Sequence, residues 1–562
     1  MLRRYNISGR ANGRTARPQI SAPFSVPAPI GGINTQDSIY AMPATDALSL
    51  KNVVCEPSGC KIRYGRKLQS HNASSTMKTI FRHPYSNKLY AISGTGLYDI
   101  TSGVNIGSAT PVVNNLNGDM WHVVPFATSA GSYVVAVSEH SSDEPLVIDS
   151  SGTVTRLTRA SVDGSPSTWE IGYVDPEKFN HVTIHQRRLW FVEENSGSGW
   201  YLAPASISGE AKEFNFGPLF GVDGGDLYAM GTWTSDQGAG PDDYFVALSE
   251  EGDMAVYAGT DPGSASTWSL SGVFSTGRIA NRRCFVNVGG DLVLLTSEGL
   301  VPITDHLLTG QTPSATAQTF NIGARKIKSW ITDAVKRNPG GDGWDLEYFE
   351  QSNLLLVNCP ALSTVTVSNV AKLESDLIGE DNETYQLVMN TITGGWSEWS
   401  KLGALGWCKH QGLPHFTDGV SVYSLGSQYY DDNQTSGGST SELTVTALPA
   451  FSDMNAPGQQ KYVGLGKLTL LIRGTISLSL GLRTDYSFDT NTTPAYTSGQ
   501  QGSLWDSGQW GGAVWSGGQS TKQDWISMGG VGFVHAPTVT IVSESEVLWA
   551  STELVQFKGA IL

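Results

Sequence analysis

Short apolar segments separated by polar loops recur along most of the chain. In three copies, a four-residue loop ending in glycine joins two apolar segments: KLYAI and LYDI flank Ser93–Gly96, YFVAL and DMAVY flank Ser249–Gly252, and LVLL and LVPI flank Thr296–Gly299. A glycine that closes such a loop supplies the positive φ that a tight hairpin requires. Each copy therefore predicts a β-hairpin. Weaker copies fill the gaps between them, at SYVVAVS, RLWFVEENSGSGWYLA and NLLLVNCP.

The hairpins are spaced like the blades of a β-propeller. Their apolar centres, from residue 90 to residue 355, lie 53 residues apart on average, close to the roughly 40–50 residues of a four-stranded blade. A hairpin cannot bury its apolar face alone, so the repeats must pack radially as a propeller or face to face as a sandwich. We predict a propeller of about five to seven blades over residues 76–430.

The segments that flank the repeats differ in composition. Residues 1–30 form a basic, Pro-rich arm, and residues 31–75 form an N-terminal β segment. The polar tract DDNQTSGGSTSE ends the repeats, and alternating leucines and serines predict a C-terminal β domain over residues 431–562. A helix is predicted only at residues 324–337. The predicted fold class is therefore mainly β, an irregular β-propeller with an additional β-rich platform domain.

Charge limits the partners of this chain. The 562 residues include 52 acidic and 36 basic side chains, for a net charge of −16. Binding dominated by phosphate contacts needs a basic surface, so this kind of nucleic-acid binding and adsorption to anionic lipid are both disfavoured. The chain has no run of about 18 apolar residues, so no membrane span is predicted.

The cysteines and the N-terminus carry no sign of export. Five cysteines are too few for a disulfide scaffold and their number is odd, so free thiols are expected. The first 17 residues lack the apolar core of a secretory signal.

Neither a metal site nor a cofactor site is predicted. His181 and His185 have a spacing that would bind zinc on a helix, but their neighbours favour a strand. On a strand they would lie about 13 Å apart, too far for one zinc ion. Cys55 and Cys60 resemble half of a zinc knuckle, but no second cysteine pair follows them.

Loop carboxylates leave an enzymatic function open. Glycoside hydrolysis needs two carboxylates about 5–10 Å apart, and a solvated acidic loop face explains the same residues. The candidates are Asp242, Asp243, Glu250, Glu251 and Asp253. Because the nucleophile elbow, the zincin helix and the phosphate-binding loop are all missing, the chain is not predicted to be an enzyme.

Two segments are predicted to bind partners. The arm has five arginines and no acid, and guanidinium groups bind carboxylates and phosphates in a bidentate manner; a flexible solvated tail is the other interpretation. A Gly-rich run carries tryptophans that can fill the chain's own core, a protein interface or a glycan site. These residues are Arg3, Arg4, Arg10, Arg14 and Arg17 in the arm, and Trp505, Trp510, Trp515 and Trp525 in the run.

Taken in order along the chain, several motifs resemble one family, the tail nozzle proteins of short-tailed bacteriophages, also called tail tubular protein B or DNA-stabilising tail proteins. The order of the motifs, rather than any single one, carries the likeness, which covers most of the chain. The motifs are Gly31-Gly32-Ile33-Asn34, then Asp46, Ala47 and Asn52, the Gly59–Gly65 turn with Arg63, YQLVMNTITGGWSEW at Tyr385–Trp399, and the Trp-rich close ending in FKGAIL. Cys60 stands where the family commonly has a second glycine.

The resemblance implies a non-enzymatic structural protein of the virion tail, assembled in the host cytoplasm. Six copies would form a ring below the head-tail adaptor, continue the DNA channel, retain the genome and release it at ejection. Further partners would be tail fibres or tailspikes, distal tail-tip proteins, and duplex DNA passing without sequence-specific contacts. An acidic channel wall that repels phosphate suits that passage. The arm and residues 31–75, with Gly31, Gly32 and Asn34, are expected to dock on the adaptor.

Two other functions remain open on the sequence. The loop carboxylates and the tryptophan run also suit a propeller glycan hydrolase, lyase or lectin that acts on host polysaccharide. A cellular propeller scaffold is the third interpretation, although the Kelch and tryptophan-aspartate blade signatures are absent from the sequence.

Overall fold

The computed structural model of the chain describes residues 23–221, 224–234, 243–304, 323–361, 384–432, 440–487, 496–498 and 520–561. These residues lie mainly in β-strands, as predicted. Helix α1 (Lys328–Arg337) lies where the sequence predicts a helix, and it buries Ile331, Ala334 and Val335. Within the described ranges, no helix has both the length and the apolar character needed to cross a membrane.

Six strands precede the repeats. They are β1 (Pro23–Pro27), β2 (Gly32–Ile33), β3 (Asp46–Lys51), β4 (Val53–Glu56), β5 (Gly59–Ile62) and β6 (Arg66–Ser70).

The propeller strands follow in chain order. They are β7 (Thr79–His83), β8 (Lys88–Ser93), β9 (Gly96–Asp99), β10 (Trp121–Ala127), β11 (Ser132–Ser138), β12 (Leu146–Asp149), β13 (Val154–Arg156), β14 (Thr158–Arg159), β15 (Glu170–Gly172), β16 (Phe179–His185), β17 (Arg188–Glu193), β18 (Ser198–Tyr201), β19 (Gly209–Glu210), β20 (Lys212–Asn215), β21 (Leu227–Thr234), β22 (Asp243–Ser249), β23 (Asp253–Gly259), β24 (Trp268–Ser275), β25 (Phe285–Val288), β26 (Asp291–Thr296), β27 (Gly299–Pro302), β28 (Asp345–Phe349), β29 (Leu354–Cys359), β30 (Tyr385–Asn390), β31 (Gly395–Trp399), β32 (Gly406–His410), β33 (Leu413–Thr417) and β34 (Val422–Leu425). Short 3-10 helices lie at Ile106–Ser108, Pro176–Lys178, Gly217–Leu219 and Glu350–Ser352.

Antiparallel sheets of three or four strands form the propeller. Six of them use consecutive parts of the chain: β7–β9, β10–β13, β16–β18 with β20, β21–β24, β25–β27 and β28–β31. A closing sheet combines β32–β34 with β6, which precedes the repeats, and β32 then contacts β7 to complete the ring. Strands β14, β15 and β19 form a small parallel sheet of their own.

The predicted hairpin loops are present, with one correction. Gly252 (φ +111°) and Gly299 (φ +105°) have the positive φ that was predicted for them. In the first copy, however, the positive φ is at Gly94 (φ +57°) and not at Gly96. The prediction is wrong there because this loop contains two glycines, and the sequence pattern does not tell which of them takes the left-handed conformation.

The remaining strands lie after the propeller. They are β35 (Tyr430–Asp432), β36 (Thr440–Pro449), β37 (Gln459–Ile472), β38 (Ile476–Thr484), β39 (Tyr496–Ser498), β40 (Ser520–Lys522), β41 (Trp525–Gly532), β42 (His535–Ser543) and β43 (Val547–Ile561).

These strands and several strands of the N-terminal segment form two packed layers. We call this two-layered unit the platform. The front sheet contains β1, β4, β5, β37, β40, β41 and β43, and the back sheet contains β3, β36, β38, β39 and β42. Apolar side chains of both layers meet in one core, including Val445, Leu470, Ile541 and Trp549. The back sheet continues into the propeller sheet β28–β31 through β2 and β3. The platform and the propeller therefore share one continuous sheet.

Candidate functional site

The motifs that carry the family resemblance meet at the junction between the platform and the propeller. Gly32 pairs in parallel with Trp396, although 364 residues separate them in sequence. At Gly32 φ is +73°, and a Cβ atom would lie 2.0 Å from the backbone nitrogen of Trp396. The indole of Trp396 is fully buried and donates a hydrogen bond to the carbonyl of Gly323 (2.9 Å). Only glycine fits this contact between the two motifs.

Asn34 and Asp46 extend the junction towards α1. The Asn34 Nδ2 group donates to both Asp46 (2.7 Å) and Asp37 (2.9 Å). Lys326 Nζ donates to the other oxygen of Asp46 and to the carbonyl of Gly31, both at 2.8 Å. Because Asp46 is 1% exposed, its charge needs these two partners.

A second network around Arg63 joins the N-terminal strands to the start of the platform. Arg63 Nη1 and Nη2 donate to the two carboxylate oxygens of Asp431 at 3.2 and 3.0 Å. Its Nε donates to Asn52 Oδ1 (2.9 Å), and Asn52 Nδ2 donates to the carbonyl of Thr444 (2.8 Å). Arg63 is 1% exposed, so this network is part of the interior. Asn52 and Arg63, two motif residues, therefore act together.

The structure places the predicted partner-binding residues in two groups. Gly31, Gly32 and Asn34 lie at the junction, where Asn34 is buried and hydrogen-bonded within the chain. The arginines of the arm and the tryptophans at 505, 510 and 515 lie outside the described residues. Docking of the first group on an adaptor and binding by the second group stay predictions.

The histidine and cysteine pairs considered as zinc ligands lie on strands. His181 and His185 lie on strand β16, as predicted. Cys55 and Cys60 face each other across the β4–β5 hairpin as buried free thiols, and a hydrogen bond to Cys55 together with burial raises the pKa of Cys60. Among the residues that the structure describes, no group of three or more His, Cys, Asp or Glu side chains could hold a metal ion.

The loop acids occupy unlike environments. Glu250 and Glu251 both face Arg278, at 2.7 and 3.7 Å. Asp253 is fully buried and accepts a hydrogen bond from the backbone of Gly224 (3.0 Å). Asp243 begins strand β22, and Asp242 lies outside the described residues.

A shallow cleft of about 510 Å³ lies between the closing sheet and the platform. Tyr64 stacks on Tyr429 beside it, with ring centroids 5.0 Å apart. Glu546, which lines the cleft, forms ion pairs with Lys61 and Arg473, at 2.8 and 2.9 Å. All three residues belong to the platform.

Among the described residues, the outer face of the front sheet exposes a group of apolar side chains. They are 40–55% exposed and come from three adjacent strands. Tyr462 on β37 pairs with Phe557 on β43 and with Val531 on β41. We call the following set the front patch: Tyr462, Leu465, Trp525, Val531 and Phe557.

The charge within the front patch is neutralised locally. Lys467 Nζ lies 3.0 Å from Glu553 and 4.8 Å from the ring centroid of Trp525. A contiguous apolar surface rich in aromatic residues is typical of protein interfaces. Only Trp525 of this set was singled out from the sequence. The others were missed because their strands also carry buried apolar residues, and the alternation does not show which face is covered.

Comparisons with known proteins leave the family open. No protein-family model matches the chain, and no curated protein matches it. Among solved structures, the chain is similar to YCF48 bound to D1 peptide, with 11% identity, coverage of 69% of this chain and 100% of the other, and a TM-score of 0.34. It is also similar to the β-propeller domain of Myceliophteria thermophila Cps50 (Swd1), with 10% identity, coverage of 64% and 100%, and a TM-score of 0.36. YCF48 from Cyanidioschyzon merolae is 11% identical, with coverage of 64% and 98% and a TM-score of 0.36.

Proposed function

We propose that the chain is a structural protein of a bacteriophage tail, the subunit of a nozzle ring. In this role six copies sit below the head-tail adaptor, continue the DNA channel, retain the genome and allow its ejection. The tail fibres or tailspikes and the distal tail-tip proteins are the further partners of the ring.

One observation carries the proposal. The Gly31–Asn34 motif and the Tyr385–Trp399 motif lie far apart in the sequence, yet Gly32 pairs with Trp396. Asn52 and Arg63, which belong to two further motifs, are hydrogen-bonded to each other. Scattered chance matches would have no reason to contact one another. The pairing of Gly32 with Trp396 and the hydrogen bonds between Asn52 and Ser400 join the N-terminal strands of the platform to the propeller.

Charge and surface add support. The net charge of −16 per copy would keep a channel wall from holding DNA through its phosphates. The front patch offers an apolar contact to a neighbouring protein.

Purified virions of the phage that encodes this chain provide the test. We expect the intact chain to stay with the particles through a density gradient and to remain with the tail after the genome is released, because a nozzle subunit is held by the adaptor. Quantitative mass spectrometry of gradient fractions measures this. The chain's absence from virions, combined with release of reducing sugar from host polysaccharide, would contradict the proposal and favour the glycan-active propeller.

A further inference from the structure

Cys55 and Cys60 lie directly opposite each other on the β4–β5 hairpin. Residues that pair across an antiparallel ladder have Cα atoms about 4.5–5.5 Å apart, and a disulfide spans Cα distances of about 4.4–6.8 Å. Opposite residues also point their side chains to the same face of the sheet. The strand register therefore places the two side chains at a separation and in a direction that suit a disulfide.

The two thiols meet inside the platform. Cys55 is 1% exposed and Cys60 is 2% exposed, and both belong to the core that the two layers share. The thiols are hydrogen-bonded to each other, and this bond is the largest cause that raises the pKa of Cys60. Cys55 Sγ also lies 3.8 Å from the carbonyl oxygens of Pro29 and Trp396. The pair is thus next to the contact between Gly32 and Trp396.

The strand register sets this pair apart from the cysteines of the propeller sheets. Cys359 is opposite Tyr385, and Cys408 is opposite His415. These two are buried free thiols as well. Burial is therefore common to the cysteines of this chain, whereas a second thiol directly opposite is found at the β4–β5 hairpin.

The position of the hairpin permits a local opening at its turn. Strand β4 is at the edge of the front sheet, and β5 pairs with β43 at Cys60 and Lys61. The turn residues Pro57 and Ser58 are exposed, and the cysteine pair is the second residue pair from them. Elements at the edge of a fold open at a lower free energy than its core strands. Such an opening admits a soluble oxidant to the thiols without unfolding of the whole platform.

We infer that Cys55 and Cys60 are a modification site, at which oxidised glutathione, a soluble disulfide oxidant, converts the two thiols to one disulfide. The thiolate of Cys55 attacks one sulfur of oxidised glutathione, whose S–S bond breaks and releases one glutathione as the thiol. The thiolate of Cys60 then attacks the Cys55 sulfur and expels the second glutathione. The two cysteine thiols lose two protons and two electrons, and the two glutathione thiols take them up.

The disulfide ties together the edge of the front sheet beside the junction. A covalent link restricts the unfolded chain, so the oxidised platform should resist heat better than the reduced one. Disulfides form and persist outside the reducing cytoplasm. The inference does not depend on the proposed function. For a tail subunit, the oxidation step belongs after the virion has left the host cytoplasm.

Differential alkylation of the full chain tests the site. Trypsin releases residues 52–61 as one peptide with both cysteines, and residues 402–409 as a peptide with Cys408 alone. The native chain is incubated with oxidised glutathione at about pH 8, near the ordinary pKa of a thiol, then denatured, alkylated with iodoacetamide and digested. We expect the first peptide to carry no alkyl group and to have lost two hydrogen atoms. The second peptide should stay fully alkylated.

Thermal unfolding of the same samples tests the tie. The oxidised wild type should unfold at a midpoint about 5 °C above that of the reduced wild type, and dithiothreitol should abolish the difference. Cys60→Ala is the matched control, because its Cys55 thiol has no partner and the oxidant should leave its midpoint unchanged. A disulfide that forms without raising the wild-type midpoint would refute its role as a tie.

Two alkylation results would overturn the inference. In the first, the peptide of residues 52–61 keeps both alkyl groups after the incubation, so the pair is not a site of oxidation. In the second, Cys408 loses its alkyl group at the same rate as the pair, so the reaction follows unfolding and does not select the hairpin. Either result leaves the proposed function standing, because virion content tests that function separately.

Discussion

Replacing Arg63 with methionine is expected to lower the free energy of unfolding by about 3–5 kcal/mol. Methionine keeps an unbranched apolar stem but removes the cation that pairs with both oxygens of Asp431. The Asp431 carboxylate then keeps the backbone N–H of Arg66 (2.8 Å) but loses its buried counter-ion. An uncompensated buried charge is far more costly than the intact pair is stabilising. Urea denaturation followed by tryptophan fluorescence measures the change.

The matched control is an ion pair on the surface. Arg278 and Glu250 lie 2.7 Å apart, but their side chains are 35% and 44% exposed. Arg278→Met should therefore cost less than about 1 kcal/mol. If Arg63→Met costs no more than Arg278→Met, the buried pair of Arg63 and Asp431 does not stabilise the contact between the N-terminal strands and the start of the platform.

Acid is expected to destabilise the protein through its buried histidines. Burial lowers the pKa of His185, His415 and His535 to about 4, whereas an unfolded histidine has a pKa of about 6.5. Between these values the unfolded chain binds more protons, so stability is full above pH 6.5 and falls as the pH drops towards 4. From pH 7 to pH 5 each of these histidines should cost roughly 2 kcal/mol.

Two carboxyls on β28, the buried Asp345 and the half-buried Glu347, act in the opposite direction over the same range. Burial raises the pKa of Asp345 to about 6 and that of Glu347 to about 8, so the folded state takes up protons there as the pH falls. The pH profile of the wild type alone therefore does not isolate the histidines. The measurement compares urea denaturation at pH 7 and pH 5 for the wild type and for His185→Gln, which cannot titrate.

The wild type should lose roughly 2 kcal/mol more than His185→Gln between the two pH values. His140→Gln, at an exposed histidine, is the control and should keep the wild-type difference. Equal losses for the wild type and His185→Gln would show that the His185 ring is not held neutral by the aromatic rings of Phe245 and Trp268 around it.

Local patterns carried the prediction of the propeller. Each hairpin is predicted by two apolar segments with a Gly-closed loop between them. The spacing of these hairpins along the chain predicts the blade repeat. The closing sheet was beyond this reasoning, because β6 pairs with β34 across more than 350 residues and its sequence, RKLQS, has no strong alternation. Pairing between strands so far apart depends on the geometry of the whole ring.

The same limit applies to the platform and its site. The alternation at Ile476–Leu482 predicts strands, and β38 is present there. The N-terminal strands β4 and β5 lie in the front sheet beside β43. No local sequence pattern predicts this long-range pairing. The exposed faces were missed for a related reason. Tyr462 and Val463 are adjacent and both suit a buried strand position, yet Tyr462 is exposed and Val463 is fully buried. Which of the two is buried depends on the face of the sheet that the second layer covers.

Native mass spectrometry of the purified chain, alone and mixed with virion-derived adaptor rings, is the decisive test of the nozzle ring. A nozzle subunit is expected to give a discrete six-copy species, formed alone or on the adaptor. A chain that stays monomeric under both conditions would contradict the nozzle function, and Ala substitutions of the loop acids, assayed by reducing-sugar release, would then test the glycan-active alternative.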